Sequence, residues 1–598
     1  MRPILSRVFS TLLFAAALLA GARPALALPS PKSQWIELRT PSFVLFSDAG
    51  EKNARKVAAS LERLRSVLGQ LNPDLRLTSP NPTYVFVFRN EESLRPYRRI
   101  YNGKPVDVGG YFLTLPEANW VAINDAPRGG DATAIIQHEL LHSILRNNYP
   151  SLPLWFNEGM AEVYSSFTAG ERVARIGAPV PEHVAWLRRH GAMPLAALFT
   201  VDQESPDYNE GARRGAFYAE SWALVHNLLV DDPELRGRAP AYFKEMAKEK
   251  PAPDAFYRAF GLDDAALERK VGSYTRKRIY EIQTLPVQPA DELNESRIAK
   301  RDLPRAEALA RLGHLLASLD PMLRPAAGEH FRAALALDPE QPQALAGMGR
   351  LQALAERPEE ARPWLEKAAR SATDDFIVQY LYGLNLLELK PGPEEMRRAQ
   401  EAFARAVALQ PDFGEAWARL AYTQAQQEPP PPDAVASFET AHKLLPTRLD
   451  IAYNLLLLCA RTGRRDRAQE ILDHVIAVRG TPDDLRRAQS ALIQEQRRDI
   501  EELIGQGDLE QAATRLEALA AQSPTAEQRA DLQSRLDDVR HVLDYNRFVD
   551  RYNHAMQLAG RDPKAALAIL EDLIATTREP GQVEQAKKAV EALRGEGR

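Results

Sequence analysis

Before residue 125, short apolar runs surround one long segment of helical spacing. Aromatic and β-branched residues cluster at 43–46, 84–88, 109–113 and 120–123, and each cluster predicts a strand. In 53–71 the apolar residues fall on one side of a helix, at Val57, Leu61, Leu64, Val67 and Leu68. The pattern therefore predicts a small sheet with one helix packed on it.

From residue 131 the pattern becomes helical. Residues 131–145 predict a strong helix with Asp131 as its N-cap. Further helices are predicted at 154–167, at 217–229 and around Tyr242 and Leu267. A sheet followed by helices is typical of the α+β class.

Beyond about residue 303 the chain is almost entirely helical and repeats itself. A large apolar residue recurs every 33 to 39 positions, and in three of these units Ala follows it by three residues and Pro by eight. The large residues are Phe331, Trp364, Phe403, Phe438 and Ile471. This pattern resembles the tetratricopeptide repeat, whose helix pairs stack into an all-α solenoid. The alternative is a generic helical bundle, but the matched Ala and Pro positions favour repeats.

The N-terminus has the order of a signal peptide. Arg2 and Arg7 precede an apolar run at 8–22, and small residues follow at Ala25 and Ala27. We expect cleavage after about Ala27 and an exported protein, periplasmic or secreted. The alternative is an N-terminal anchor, but the run is shorter than the ~20 residues that a span needs. No membrane span is expected after cleavage.

Composition narrows the function further. The 598 residues are 45 % apolar and 26 % charged, with a net charge of −5, which is ordinary for soluble globular protein and gives no sign of a nucleic-acid partner. A chain of this length is expected to form two to four domains. Its one cysteine, Cys459, lies in an apolar run and is expected to be buried rather than reactive.

The sequence His138-Glu139-Leu140-Leu141-His142 carries the chemistry. Two His four residues apart project from one face of a helix, so both imidazoles can bind one cation. Glu139 lies beside them, where it can take a proton from an attacking water. The motif alone is weak, because chance matches occur on ordinary helices.

A second motif follows sixteen residues after His142. Glu158 lies in Trp155-Phe156-Asn157-Glu158-Gly159-Met160-Ala161-Glu162 and can supply the third ligand from a second helix. Glu162, one turn later on the same face, can hold His138 or His142 through the other ring nitrogen. The two acids would otherwise be solvated, but the coincidence of both motifs favours a site for one Zn²⁺.

These two motifs resemble the gluzincin metallopeptidases, and most closely the bacterial peptidase-MA-like domain. The stretches 205–210 and 217–226 also resemble that family, and the resemblance covers roughly residues 35–285. It implies a zincin-like α+β fold, zinc ligands at His138, His142 and Glu158, and Glu139 as general base. The expected organisation is a signal peptide at 1–27, the metallopeptidase domain at 28–290, repeats at 300–476 and a further helical, repeat-like region at 477–598.

Catalysis at such a site also needs a donor for the oxyanion. Tyr218 is the first candidate and His226 the second, since both lie on one helical face two turns apart. Core packing is an equal alternative for Tyr218 and the better one for His226. The strand at 120–124, directly before the active-site helix, is expected at an edge of the sheet, where it either pairs with an extended peptide substrate or is simply the edge. His183 and His190 are expected on a surface helix rather than at a second metal site.

Three functions compete on this evidence. The first is a zinc peptidase acting on a peptide or protein substrate, with repeats that bind a protein partner. The second is an exported repeat scaffold with a catalytically inactive metalloprotease-like domain, although the intact Glu139 speaks against it. The third is a zinc hydrolase for a non-peptide amide, such as a cell-wall component.

Overall fold

The computed structural model describes residues 28–595, except 102–103, 106–108, 126–131, 150, 171, 203, 210, 249–250, 275, 288–297 and 524. The predicted signal peptide and the predicted N-cap Asp131 lie outside the described residues. The chain forms two compact units, which divide between Pro446 and Thr447. This division lies 30 residues before the boundary that the sequence suggested at 476.

A six-stranded sheet organises the first unit, in the order β11-β1-β2-β3-β7-β6. The strands β2, β3 and β7 are parallel, and β1, β6 and β11 pair antiparallel with their neighbours. The strands of this sheet are β1 (Trp35–Arg39), β2 (Val44–Ser47), β3 (Thr83–Phe88), β6 (Gly110–Thr114), β7 (Asn119–Asn124) and β11 (Ala299–Leu303). Two smaller sheets comprise β4 (Ile100–Tyr101) with β5 (Lys104–Pro105), and β8 (Thr168–Ala169), β9 (Val173–Ile176) and β10 (Gln283–Pro286).

The four predicted strands are confirmed as β2, β3, β7 and β6, but the expectation that 120–124 forms an edge is wrong. Val121 on β7 is opposite Val85 of β3 on one side and opposite Phe112 of β6 on the other. Both backbone edges of β7 are therefore occupied. The strand at this edge of the sheet is β6.

Helices from the region between β2 and β11 cover one face of the sheet. The 21-residue helix α1 (Glu51–Leu71) buries Val57, Leu61, Leu64, Val67 and Leu68, the stripe predicted from the sequence. The remaining helices of this region are α2 (Glu91–Leu94), α3 (Ala132–Asn148), α4 (Leu154–Ser165), α5 (Pro181–His190), α6 (Leu195–Thr200), α7 (Pro206–Asn209), α8 (Gly211–His226), α9 (Pro233–Met246), α10 (Ala255–Phe260) and α11 (Asp264–Tyr274). A π-helical turn, Asn227–Asp231, continues α8.

Paired helices form the rest of the first unit. They are α12 (Arg305–Leu319), α13 (Arg324–Leu337), α14 (Pro342–Ala353), α15 (Pro358–Ser371), α16 (Phe376–Glu388), α17 (Pro393–Leu409), α18 (Gly414–Ala425) and α19 (Asp433–Leu444). The recurring aromatic residue joins neighbouring pairs: a Cβ atom on Gly347 of α14 would lie 2.2 Å from the ring of Phe331 on α13. A side chain at 347 would displace that ring, so glycine is what permits this approach.

The first repeat helices also cover the second face of the sheet. Leu309, Leu312 and Leu315 of α12 belong to the same buried cluster as the sheet residues Phe46, Phe86 and Trp120. The sheet is therefore the middle layer between the helices of the N-terminal region and those of the repeats.

The second unit is entirely helical in its described part. Its helices are α20 (Leu449–Arg461), α21 (Arg465–Ile471), α22 (Ala477–Arg479), α23 (Pro482–Gln506), α24 (Leu509–Gln522), α25 (Ala526–Leu558), α26 (Pro563–Thr576) and α27 (Pro580–Gly595), with a π-helical turn at Leu472–Ile476. Cys459 is buried within α20, as predicted. Across the described residues of both units, every helix is too short or too polar to cross a lipid bilayer.

Candidate metal centre

Two helices present the three predicted ligands. α3 carries His138 and His142 one turn apart, and their rings meet edge to face with centroids 4.6 Å apart. α4 carries Glu158, whose side chain is almost fully buried. The aromatic residues Trp155 and Phe156 hold the first turn of α4 in the core, so the position of Glu158 is fixed by packing.

The interhelical approach requires a glycine next to the ligand. A Cβ atom on Gly159 would lie 2.3 Å from the backbone oxygen of Ser221 and 2.5 Å from Val225 on α8. Gly159 therefore lets α4 lie directly against α8, the helix that carries Tyr218.

The ligand atoms converge on one point. The Nε2 atoms of His138 and His142 are 3.0 Å apart, and Oε2 of Glu158 lies 3.4 Å from the first and 3.3 Å from the second. Atoms that bind a tetrahedral zinc at its usual distances are about 3.3 Å from one another. These three atoms thus have the spacing of three corners of a zinc tetrahedron.

The chemistry of the donors fits the same ion. Oε2 of Glu158 is buried and has no hydrogen-bond partner, which is costly for a carboxylate unless a cation compensates it. Two imidazoles and one carboxylate are the donor set of catalytic zinc sites that keep a position open for water. Within the described part of the chain, these three residues form a group able to hold a metal ion.

Other residues contact the polar atoms of the ligands that do not face the proposed ion. Tyr208 donates a hydrogen bond of 3.1 Å to Oε1 of Glu158, which leaves Oε2 for the imidazoles. Nδ1 of His142 lies 2.9 Å from Oδ1 of Asn157. Such outer contacts fix the orientation of ligands and the tautomer of each imidazole.

Glu162 contacts His138, as the sequence suggested for one of the two histidines. Its Oε1 lies 3.5 Å from Nδ1 of His138, and its Oε2 lies 2.9 Å from Nε2 of His183 on α5. Burial would raise the pKa of Glu162, but the bond with His183 and the neighbouring His138 hold that pKa below its usual value. A chain of three residues therefore leads from α3 through α4 to α5.

The electrostatics of the cluster favour a charged carboxylate. Burial alone would raise the pKa of Glu158, yet the two imidazoles hold that pKa well below its usual range. Burial likewise opposes the charged form of His138, but Glu158 and Glu162 raise the pKa of His138 above its usual value. The two carboxylates thus favour positive charge at the centre.

The remaining predicted residues differ in their placement. Glu139 lies half-buried on α3 beside His138. The ring of Tyr218 is nearly parallel to that of His138, with centroids 6.4 Å apart, so the structure brings Tyr218 to the centre.

His226 does not serve the role predicted for it. Its ring is fully buried, its Nε2 lies 2.6 Å from the carbonyl oxygen of Gly177, and its Nδ1 is bonded to the hydroxyl of Tyr274. With both nitrogens engaged in the core, this imidazole has no donor left for an oxyanion. The prediction of His226 as a donor is wrong, because residues two turns apart on a buried helix can face different neighbours.

Three residues that contact the predicted ligands or Glu162 were not assigned to the site from the sequence. Asn157 directly precedes a ligand and could have been noticed by its position. Tyr208 is 50 residues from Glu158, and His183 was expected on a surface helix, so only tertiary packing relates either of them to the centre.

Comparison with known proteins identifies the repeats. Residues 325–384 match the tetratricopeptide repeat family, so the chain contains such repeats, as predicted. No curated protein matches the sequence.

Several solved repeat proteins are similar to part of the chain. YrrB, described as a TPR protein with an unusual peptide-binding site, is 26 % identical over 31 % of this chain and 92 % of its own, with a TM-score of 0.27. PilF of Pseudomonas aeruginosa is 21 % identical over 39 % of this chain and 97 % of its own, with a TM-score of 0.27. A TPR protein of Thermus thermophilus is 21 % identical over 31 % and 99 %, with a TM-score of 0.24.

Proposed function

We propose that this chain is a zinc-dependent peptidase of the gluzincin type, joined to tetratricopeptide repeats that bind a protein partner. The convergence of His138 Nε2, His142 Nε2 and Glu158 Oε2 within 3.0–3.4 Å of one another carries the proposal. Export, inferred from the sequence of residues 1–27, would place this activity in the periplasm or outside the cell.

The residues divide the chemistry among them. A zinc ion held by the three ligands would polarise a carbonyl and lower the pKa of a water toward about 7. Glu139 takes a proton from the attacking water and returns it to the leaving amine. Tyr218, beside His138, is the candidate donor to the oxygen that becomes negative.

The sheet supplies a place for an extended substrate. β6 is the edge strand of the sheet, and α3 lies against it. An extended peptide that pairs with β6 would run beside the helix that carries His138 and His142.

A second candidate function is a binding scaffold without catalysis. The comparisons favour it, since they match the repeats alone, and repeat proteins of this kind bind other proteins. In that case the metal, if bound, would stabilise the N-terminal region and Glu139 would have no role.

Metal analysis and Glu139→Gln separate these functions. We expect one zinc per chain in the wild type and in Glu139→Gln, with hydrolysis of an unfolded protein substrate reduced at least about a hundredfold in the variant. Glu234→Gln, an exposed acid on α9, is the matched control and should retain full activity.

Each other result points elsewhere. Wild-type protein that takes up no zinc from a metal-replete buffer would end the metal proposal. Zinc uptake without hydrolysis of peptides or cell-wall amides would favour the second candidate function, a binding scaffold without catalysis. If the protein hydrolyses only cell-wall amides and Glu139→Gln loses this activity, the proposed substrate class would be wrong and the proposed mechanism would be retained.

A further inference from the structure

A basic surface lies at the C-terminal end of α5. Arg188 and Arg189 lie in the last turn of that helix, and Arg276 and Arg278 follow the end of α11. Arg188, Arg276 and Arg278 line one open groove. The Arg188 guanidinium donates a hydrogen bond of 3.2 Å to the backbone oxygen of Lys277, which holds the two segments together.

The positive charge of this surface is not paired with acidic side chains of the described residues. No carboxylate of the described residues lies within ion-pair distance of these four arginines, whereas the neighbouring Lys277 is paired with Asp231. The exposed pair Arg486 and Arg487 of α23, by contrast, is neutralised by Asp483 and Asp484. Three like charges around one groove, with Arg189 as a fourth on the same helix end, repel one another unless an external anion neutralises them.

Exposed isoleucines accompany the arginines. Ile279 is 78 % exposed, the highest value among the large apolar side chains of the described chain, and Ile282 is 42 % exposed. Between them Tyr280 is buried against Trp222 and Tyr274. The core thus holds the segment in place while the isoleucines point outward.

We propose that this arginine–isoleucine surface docks on the anionic headgroup layer of a phospholipid membrane. Guanidinium groups pair with phosphate through two parallel hydrogen bonds. Exposed apolar side chains next to them gain energy only from a partner with an apolar layer directly beneath its charges, which a membrane provides and a soluble polyanion does not. The proposal does not depend on the metal centre.

Docking would set the position of the metal centre. α5 has His183, the partner of Glu162, near its start and Arg188 five residues later, about 8 Å along the axis. The candidate centre would therefore lie close to the lipid surface, where membrane-bound or membrane-emerging polypeptides are within reach.

Vesicle flotation tests the proposal. The chain beginning at Leu28 is used, so that the apolar run 8–22 does not contribute. We expect it to float with vesicles of phosphatidylethanolamine and phosphatidylglycerol, and not with phosphatidylcholine alone. Arg276→Ser with Arg278→Ser should lower the partition coefficient about 25-fold, at about fivefold for each charge.

The matched control removes the same charge elsewhere. Arg486→Ser with Arg487→Ser changes two exposed arginines of α23 and should leave partitioning within about twofold of wild type. Ile279→Ser should weaken it about fivefold or more without changing the thermal transition.

Three results would overturn the proposal. One is equal flotation with both kinds of vesicle. Another is an equal loss of binding in the control pair, which would indicate a general charge effect. The third is full binding by Ile279→Ser combined with complete competition by soluble polyphosphate, which would assign the groove to a soluble polyanion.

Discussion

The two faces of the sheet differ in composition and in what covers them. One face is aliphatic: Leu38, Leu45, Val85, Val87, Val121 and Ile123 pack in the cluster that includes α1, α3 and α4. The other is aromatic: Trp35, Phe46, Tyr84, Phe86, Phe88 and Trp120 pack against the first repeat helices. The repeats therefore complete the core of the N-terminal region. This structural role is separate from any binding of a protein partner.

Polar contacts also join the repeat helices to the sheet and its loops on the aromatic side. Glu117, in the turn between β6 and β7, pairs with Arg350 of α14. The hydroxyl of Tyr97 lies 3.0 Å from Nε2 of His330 on α13. The backbone oxygen of Pro80 accepts a hydrogen bond of 3.0 Å from the amide of Gly414, the first residue of α18. The repeats thus contact the sheet and its loops from α12 to α18.

Truncation is the strongest test of the difference between the two faces. A chain of residues 28–290 lacks β11 and exposes six aromatic side chains. Their burial is worth on the order of 10 kcal/mol, as much as the whole stability of a typical domain. We expect no cooperative thermal transition from this chain, whereas residues 28–446 should unfold cooperatively. A cooperative transition in the shorter chain would show that the aromatic cover is dispensable.

A smaller effect is expected at the ion pair between the turn and α14. Arg350 is 9 % exposed and Glu117 is 20 % exposed, so Arg350→Ala leaves a carboxylate with little access to water. We expect a loss of about 3 kcal/mol in the free energy of unfolding, measured with urea. Arg397→Ala, which breaks an exposed pair on α17, is the control and should cause no measurable change. Equal effects would mean that the buried pair adds nothing to the docking of the repeats.

Lowering the pH should reduce the free energy of unfolding through the buried His330, which lies on the aromatic side of the sheet. His330 is fully buried, and burial lowers its pKa to about 4. The unfolded chain takes up this proton below about pH 6.5, so stability present above that pH is lost as the pH falls, by about 2 kcal/mol at pH 5. His330→Gln keeps an acceptor for Tyr97 and should lose correspondingly less stability between pH 7 and about pH 5. The exposed His190→Gln should follow the wild type, and identical curves for all three would exclude this role for His330.

Local sequence spacing was sufficient to predict which residues of one or two adjacent helices come together at the candidate centre. His138 and His142 share a helical face through their spacing, and Glu158 follows on the next helix. The contacts of Tyr208 and His183 arise only when α5 and α7 pack against α4, so no local pattern contains them. His226 shows the opposite error, because helical phase alone cannot distinguish a site-facing imidazole from one engaged in the core.

The same limit applies to the fold. Alternating and periodic apolar residues predicted the helix α1, the strands β2, β3, β6 and β7, and the repeat period that the family match at 325–384 confirms. The order of strands depends on long-range pairing, so β7 was mistaken for an edge. β11 was not predicted, because its sequence Ala299-Lys300-Arg301-Asp302-Leu303 is mostly charged and four of its five residues are exposed.

The strand β11 has a consequence for synthesis of the chain. It pairs with β1, although more than 250 residues lie between the two strands. The sheet cannot close along β1 until residue 303 has been made, and its aromatic face stays uncovered until α12 and α13 follow. The N-terminal region must therefore wait, partly folded, for the first repeats, and during this interval a chaperone that recognises exposed aromatic strands would find its substrate.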